Sequence, residues 1–157
     1  MAEFFEIPKD ELDPLSQSPV LFDALIAEDE RGCVFRKTLT MADPGVASQR
    51  VTPRWPHHLP GDLIIGLTGQ AGIIAVRRRG LIADGWRGHG VRIREARFTA
   101  AVLVGETFYV RADIVRARRF AENVHVRFAF RMWKHGADGS EVEVYRSEQD
   151  AMFFPGY

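Results

Sequence analysis

The chain has 157 residues, of which 46% are hydrophobic and 27% charged, so it can form one domain with a substantial core. Its 21 basic and 21 acidic residues cancel, which argues against binding nucleic acid through an overall positive charge. The acidic, aromatic start does not resemble a signal peptide, and glycines interrupt the longest apolar stretch well short of a membrane span. We therefore expect one domain over residues 1–157, in the cytoplasm, with no nucleic-acid and no membrane partner.

The first third of the chain predicts short elements and a long loop. Prolines limit any helix in residues 7–20 to a short one. Residues 20–27 form an apolar run, and residues 33–41 alternate as a strand does. Cys33, the single cysteine, has no metal-ligand spacing around it, so we expect a buried structural thiol. Residues 43–60 hold four prolines and predict an irregular segment that binds something or covers a site.

Residues 62–79 have a helical pattern and are apolar on almost every side, which predicts a buried helix. Asp62 is suited to cap its start. Arg77, Arg78 and Arg79 complement the dipole at its end, and Gly80 suits the position just beyond.

Three glycines recur inside this helix at a spacing of three residues, at positions 66, 69 and 72. Each costs about 1 kcal/mol relative to alanine, so the set requires an offsetting gain. The gain is either close packing against a sheet or room for a ligand.

The rest of the chain predicts strands over residues 91–102, 107–117, 124–133 and 141–154. Short turns between them indicate an antiparallel meander with one polar face. The expected fold is therefore α+β, with an antiparallel sheet wrapped around one long buried helix.

The sequence His-Leu-Pro-Gly at 58–61, followed by an apolar helix containing Gln70 and Ala71, resembles the hot-dog β-hydroxyacyl-carrier-protein dehydratases of the FabZ and FabA type. Those enzymes carry His-Phe-Pro-Gly before their helix. Their next strand, Glu-Ala-Arg-Phe, has its counterpart at residues 95–98. The resemblance covers residues 57–153 and implies a hot-dog fold of the dehydratase and thioesterase superfamily.

Two departures from the dehydratase pattern bear on function. The position of the catalytic acid on the family's helix is occupied by Gly66. The family also has two successive Pro-Gly steps, whereas this chain has only Pro60-Gly61. If that step matches the family's second one, the family's histidine falls near Thr52. If the loop is shortened, His58 takes the role, and this is the alignment that we favour.

The candidate catalytic residues surround the start of the helix. His58 is the preferred base and His57 competes with it, because an imidazole can accept a proton near neutral pH. The resemblance implies that the backbone N–H of Gly61, or of Asp62, polarises the thioester carbonyl, as free N–H groups at a helix start can. Asp62 is either a helix cap or a carboxylate that activates water.

The candidate substrate-binding residues are Gly61, Gly66, Thr68, Gln70, Arg50 and Arg54. Thr68 either orients a water or bonds back to the helix, and Gln70 suits a structural or orienting hydrogen bond. Arg50 and Arg54 either meet a substrate carboxylate or phosphopantetheine phosphate, or are simply solvated. Residues 77–79 and 118–119 either attract an acidic carrier protein or form solvated faces. The remaining histidines, His89, His125 and His135, are interpreted as structural or solvated.

The resulting hypothesis is an acyl thioester hydrolase acting on acyl-ACP or acyl-CoA, either alone or coupled to conjugate addition of an amine such as glycine to the β-carbon of an enoyl thioester. The alternatives are a dehydratase or hydratase that uses another acid, and a non-catalytic acyl-binding protein. We expect no metal and no cofactor other than the phosphopantetheine that carries the substrate. The resemblance also implies a homodimer, in which two sheets join and residues are shared across the site.

Overall fold

Seven antiparallel strands form one sheet in the computed structural model, which describes residues 3–156. The strands are β1 (Glu3–Pro8), β2 (Ala24–Glu28), β3 (Gly32–Thr38), β4 (Arg87–Phe98), β5 (Thr107–Phe120), β6 (Asn123–His135) and β7 (Glu141–Phe154). The helices are α1 (Lys9–Leu12) and α2 (Gly61–Arg78), and a 3-10 turn spans Asp13–Leu15.

The strands lie in the order β1-β2-β3-β5-β6-β7-β4, so β1 and β4 form the two edges of the sheet. The alternation read from the sequence is the alternation observed: in β6, Val124, Val126, Phe128 and Phe130 are buried, and the residues between them are half-buried. The buried set packs against α2 and makes one core with it. The predicted α+β arrangement, a sheet wrapped around one long helix, is confirmed.

Helix α2 is buried along most of its length, and its C-terminal signals act as predicted. Gly80 has a φ of +65°, and the N–H groups of Gly80 and Leu81 donate to the carbonyls of Arg77 and Val76. These two bonds satisfy helix-end carbonyls in the glycine-terminated motif expected there. In the described residues, no helix is long and apolar enough to cross a membrane.

The expectation that Asp62 caps the helix is wrong. The helix begins at Gly61, and the capping position belongs to Pro60, which offers no side-chain acceptor. Asp62 lies within the first turn, where its carboxylate accepts the N–H of Leu63 at 2.9 Å. Pro60 has an extended backbone and directly precedes the first turn, so the helix begins at Gly61, one residue earlier in the chain than predicted.

Strands β1 and β4 differ most from the prediction, while β3 ends at Thr38, three residues earlier than predicted, and β5 continues to Phe120, three residues further. Strand β1 has no counterpart in the sequence analysis, because it is an edge strand with only one apolar side, on which Phe5 and Ile7 pack against the core. Strand β4 begins four residues earlier than predicted, since Gly88 and Gly90 pair with β7 although glycine is a weak strand former. It also ends earlier, at Phe98.

Cys33 is buried in β3, as predicted. Burial is the main cause that raises the pKa of its thiol to about 12, and the nearby Glu28 carboxylate adds to the effect. A thiol with this pKa stays protonated at neutral pH, so Cys33 is a core residue and not a nucleophile.

Candidate functional site

The start of α2 presents backbone N–H groups at the surface. Gly61 and Asp62 are both exposed, and they occupy the first turn, where no helical carbonyl precedes them. A Cβ at position 61 would lie 3.8 Å from the ring of Phe98. Phe98 packs on Tyr145, with 4.9 Å between the ring centroids. An oxyanion can therefore approach this end of the helix beside an aromatic pair.

The loop before α2 holds His57 and His58 by hydrogen bonds to backbone. His57 Nδ1 lies 2.9 Å from the carbonyl oxygen of Val46, and His58 Nδ1 lies 2.9 Å from that of Pro56. A carbonyl can only accept, so each Nδ1 carries the hydrogen. In the neutral ring, Nε2 is then the atom with the lone pair, which is the form that a general base needs.

The backbone of His58 is fixed as well. The side-chain amide of Gln49 accepts the N–H of His58 at 3.0 Å and donates to its carbonyl at 2.9 Å. The next residue, Leu59, donates to Val102 at 2.8 Å. These bonds make the end of the irregular segment 43–60 a rigid entry to α2.

The glycine side of α2 forms one wall of a cavity of about 220 Å³. Apart from the neighbouring residues and the local backbone of the helix itself, no heavy atom of the described chain lies within 4 Å of where a Cβ at Gly66 or Gly69 would be. At Gly72 a Cβ would lie 3.3 Å from Phe128 and 3.4 Å from Phe130. Both explanations predicted for the glycine set therefore apply: Gly66 and Gly69 leave open space, and Gly72 allows close packing.

The other walls come from distant parts of the chain. The cavity is lined by the 16–18 segment, by Gly88, His89 and Gly90 of β4, by Phe128 and Phe130 of β6, and by residues 149–151 and Phe153 of β7. The aromatic part of the lining, Phe128, Phe130 and Phe153, is buried, and the 16–18 segment, His89, Gln149 and Asp150 contribute polar groups. Such a lining suits an apolar group with a polar attachment.

Two polar side chains of α2 reach this cavity, and both are held by hydrogen bonds. Gln70 accepts the N–H of Leu21 and donates to Ser18 and Pro19, all at 2.9 Å, so its role is structural as well as lining. Thr68 donates to the carbonyl of Ile65 at 2.9 Å, which is the back-bond considered in the sequence analysis.

The predicted site residues fall into two groups. Gly66, Thr68 and Gln70 line the cavity. The second group lies outside its lining as residues 3–156 define it, and consists of Arg50, Arg54, His57, His58, Gly61 and Asp62. Arg50 and Arg54 are exposed, and Arg54 occupies the tip of a turn that Thr52 and Trp55 close with two backbone hydrogen bonds.

Several residues of the cavity wall are not among the predicted site residues, and three of them carry titratable or amide side chains on β4 and β7. His89, interpreted as structural or solvated, lines the cavity from β4, and Gln149 and Asp150 line it from β7. A signal for His89 was present, because a glycine on each side of it in a strand marks a place of close approach. At Gly88 a Cβ would lie only 2.6 Å from the ring of Phe153.

Asp150 is the carboxylate of this wall, and it is ionised. Its burial acts to raise its pKa, but the hydrogen bond from Arg127 and the charges of Arg127, Arg94 and His125 outweigh burial and lower it. Arg94 and Arg127 lie 2.9 Å and 3.0 Å from its two oxygens. A carboxylate held in this way is a poor proton donor at neutral pH.

No protein-family model matches the sequence, and no curated protein does. Solved structures match over most of the chain. The dehydratase heterocomplex ApeI:P from Xenorhabdus doucetiae is 18% identical over 92% of this chain and 90% of its own, with a TM-score of 0.64. A thioesterase family protein from Silicibacter pomeroyi is 14% identical over 84% of each chain, with a TM-score of 0.58.

A hot-dog-like protein from Thermanaerovibrio acidaminovorans is 15% identical over 80% of this chain and 84% of its own, with a TM-score of 0.51. The chain has the hot-dog fold. The fold predicted from the resemblance is therefore confirmed. Because identities this low establish the fold alone, the function of this hot-dog protein has to be argued from its own site.

Proposed function

We propose that this hot-dog protein hydrolyses short acyl thioesters in the cytoplasm, carried either by coenzyme A or by an acyl carrier protein. The observation that carries the proposal is the cavity along the open glycine side of α2, whose lining includes buried aromatic residues. Its volume of about 220 Å³ is below the roughly 300–1,000 Å³ of ordinary ligand pockets. A short acyl group fits such a space, and the carrier arm then stays outside.

The helix start supports binding of the thioester carbonyl. Gly61 precedes Gly66 by five residues, or about 7.5 Å along the helix axis. A carbonyl held by the N–H of Gly61 or Asp62 can therefore extend its acyl chain toward the cavity. The N–H groups and the helix dipole would stabilise the negative oxygen of a tetrahedral intermediate.

His58 is the proposed base, with His57 as its competitor. Its Nε2 would take a proton from water as that water adds to the carbonyl carbon. The intermediate then collapses, the carbon–sulfur bond breaks, and the proton passes to the leaving thiolate. Water and thioester give a carboxylic acid and a thiol.

A homodimer is part of the proposal, because His57 and His58 lie outside the lining of the cavity in their own chain. The outer edge of β4 pairs with no strand in the part of the chain that the structure describes. Pairing of β4 with β4 of a second copy would continue the sheet and cover this edge. We propose that the histidine loop of one copy then completes the cavity of the other.

Dehydration has less support at this site. It needs a neutral acid to protonate the leaving hydroxyl, and Gly66 stands where the related dehydratases carry that acid. Asp150 does not replace it, since two arginines keep its carboxylate ionised.

The test is mass spectrometry of purified protein incubated with short acyl-CoA and acyl-ACP substrates, with and without glycine. Hydrolysis predicts free acid and free thiol. Loss or gain of water without thiol release would replace the proposal with a dehydratase or hydratase. A glycine adduct followed by thiol release would extend hydrolysis to the coupled reaction, with Arg50 or Arg54 as candidates to bind the glycine carboxylate. Binding without any turnover would contradict an enzyme.

A further inference from the structure

The side-chain amide of Gln149 projects from β7 into the cavity beside apolar neighbours. Its partners across the sheet are Phe128 in β6 and Ile93 in β4. It lies between Ser147 and Ala151 on the side of β7 that faces α2, and it contacts Thr68 of the helix. A glutamine in this position is costly unless its polar atoms are satisfied.

The orientation of this amide is fixed by its neighbours. Thr68 uses its hydroxyl hydrogen to bond the carbonyl of Ile65, so its oxygen is left as an acceptor. Gln149 Nε2 donates to that oxygen at 2.9 Å and to Ser147 Oγ at 3.1 Å. The Tyr145 hydroxyl lies further from Nε2, at 3.5 Å, so the two shorter bonds use both hydrogens of the amide. A flipped amide would place Oε1 against the Thr68 oxygen, and both of these atoms are acceptors.

The oxygen of the same amide is left without a protein partner. Gln149 Oε1 accepts no hydrogen bond from any group of residues 3–156, and it is not among their fully buried, unsatisfied atoms. It is therefore open to the cavity that Gln149 lines. In the empty cavity water can occupy this acceptor, and a ligand must either replace that bond or lose it.

We infer that Gln149 is a specificity-determining residue, and that its Oε1 accepts a hydrogen bond from a donor group on the acyl chain. This inference rests on the proposed thioester site. The preferred substrates are then short acyl thioesters with a hydroxyl or an amino group on the chain, rather than saturated, unsubstituted ones. A single neutral hydrogen bond of this kind corresponds to a preference of about tenfold.

The test compares wild-type protein with Gln149→Met, which keeps the length of the side chain and removes its acceptor. Gln149→Glu is the matched control, because it keeps an acceptor and adds a negative charge. The substrates are hexanoyl-CoA and its 3-hydroxy, 5-hydroxy and 3-amino derivatives, followed by thiol release. Thioether analogues that cannot be hydrolysed measure binding separately. Melting temperatures check that each variant is folded.

The inference predicts that wild-type protein prefers a hydroxy or amino derivative about tenfold over hexanoyl-CoA and that Gln149→Met removes the preference. The carbon whose hydroxyl or amino group gives the preference shows which part of the bound acyl chain lies beside the Gln149 amide. If the donor is a hydroxyl, Gln149→Glu should keep the preference for the hydroxy substrate. If the donor is an ammonium group, Gln149→Glu should increase the preference for the amino substrate. Equal hydrolysis of all substrates by wild type and Gln149→Met would overturn the role of Gln149 and leave the thioesterase standing. A preference in thioether binding without hydrolysis would support Gln149 and overturn the thioesterase.

Discussion

Arg127 Nε lies 3.0 Å from Oδ1 of Asp150, a carboxylate of which only 5% is exposed. Arg94 binds the second oxygen at 2.9 Å. Because Arg94 is on β4, Arg127 on β6 and Asp150 on β7, these ion pairs link the three strands at the edge of the sheet. Since the arginines are about one-third exposed, solvent weakens the attraction, but the hydrogen bonds to a buried charge remain.

We predict that Asp150→Asn lowers the free energy of unfolding by about 2 kcal/mol at pH 7, the usual range for hydrogen bonds to a charged group. Urea denaturation measures it. The pKa of Asp150 is lowered from 3.8, so its contribution is complete above that value and is lost as the pH falls through the lowered pKa. The difference between wild type and variant should therefore stay constant from pH 7 to about pH 5 and shrink below about pH 4.

Glu148→Gln, on the same strand, is the control and should change stability little, because Glu148 is exposed and has no ion pair among the described residues. An equal loss in both variants would show that the ion pair at Asp150 is not the cause.

The helix glycines give a matched pair of stability predictions. Gly66→Ala should raise the free energy of unfolding by about 1 kcal/mol, because nothing lies within 4 Å of the added methyl group and alanine favours the helix. Gly72→Ala should lower it by about 1 kcal/mol or more, since the methyl group would press on Phe128 and Phe130, which are themselves buried. Thermal or urea denaturation compares the two, and equal effects of the same sign would contradict the open side of α2.

The fold could be predicted from the sequence where the signals are local. Helix α2 was placed within one residue of its observed ends, because Gly80 and the apolar pattern mark it. Strand β7 was placed at its observed bounds, 141–154. Strand β4 was displaced and β1 missed, because pairing to a neighbouring strand, which is not visible locally, decides both.

The site was harder to predict because the chain brings its parts together from far apart. Thr68 is among the predicted residues because it lies within the predicted helix, ten residues after His58. Gln149 and His89 reach the same cavity only through pairing of β4 with β7. His58, favoured on the resemblance, lies at the helix start instead of in the cavity of its own chain. A sequence motif identifies candidate residues, but it does not show which cavity each of them lines in the folded chain.

Position 66 also offers a gain of function. Gly66→Glu would place a carboxyl on the open side of α2, at the position where the resemblance implies the catalytic acid of the FabZ and FabA type dehydratases, and the space there is open. We predict that the variant dehydrates 3-hydroxyacyl-CoA more rapidly than wild type, detected as loss of one water from the intact thioester. Gly69→Glu, equally open but one turn further along the helix, should not gain this activity to the same extent. No gain in the folded Gly66→Glu protein would show that the missing acid is not what separates this site from a dehydratase.

The histidines can be separated by single substitutions. We predict that His58→Ala reduces thioester hydrolysis at least about 100-fold, the usual contribution of a general base. His57→Ala, which removes the neighbouring ring, should reduce it less, and His89→Ala tests the histidine that lines the cavity directly. Steady-state rates of thiol release measure all three. If His89→Ala has the largest effect, the base is on β4 and not in the loop before α2.

The exposed edge of the sheet leads to a prediction about assembly. Val91 is 60% exposed on the edge strand β4, and Val115 is 56% exposed on β5, an interior strand whose pairing with β3 ends at Asp113. If two copies pair through β4, Val91→Lys should weaken the dimer while Val115→Lys leaves it intact, because a lysine on an edge strand opposes pairing. Sedimentation velocity at several concentrations measures the mass of each protein. A wild-type protein that sediments as a single chain would exclude the homodimer. A dimer unaffected by Val91→Lys would instead place its interface away from this part of β4, so the histidine loop would have to reach the cavity by another arrangement of the copies.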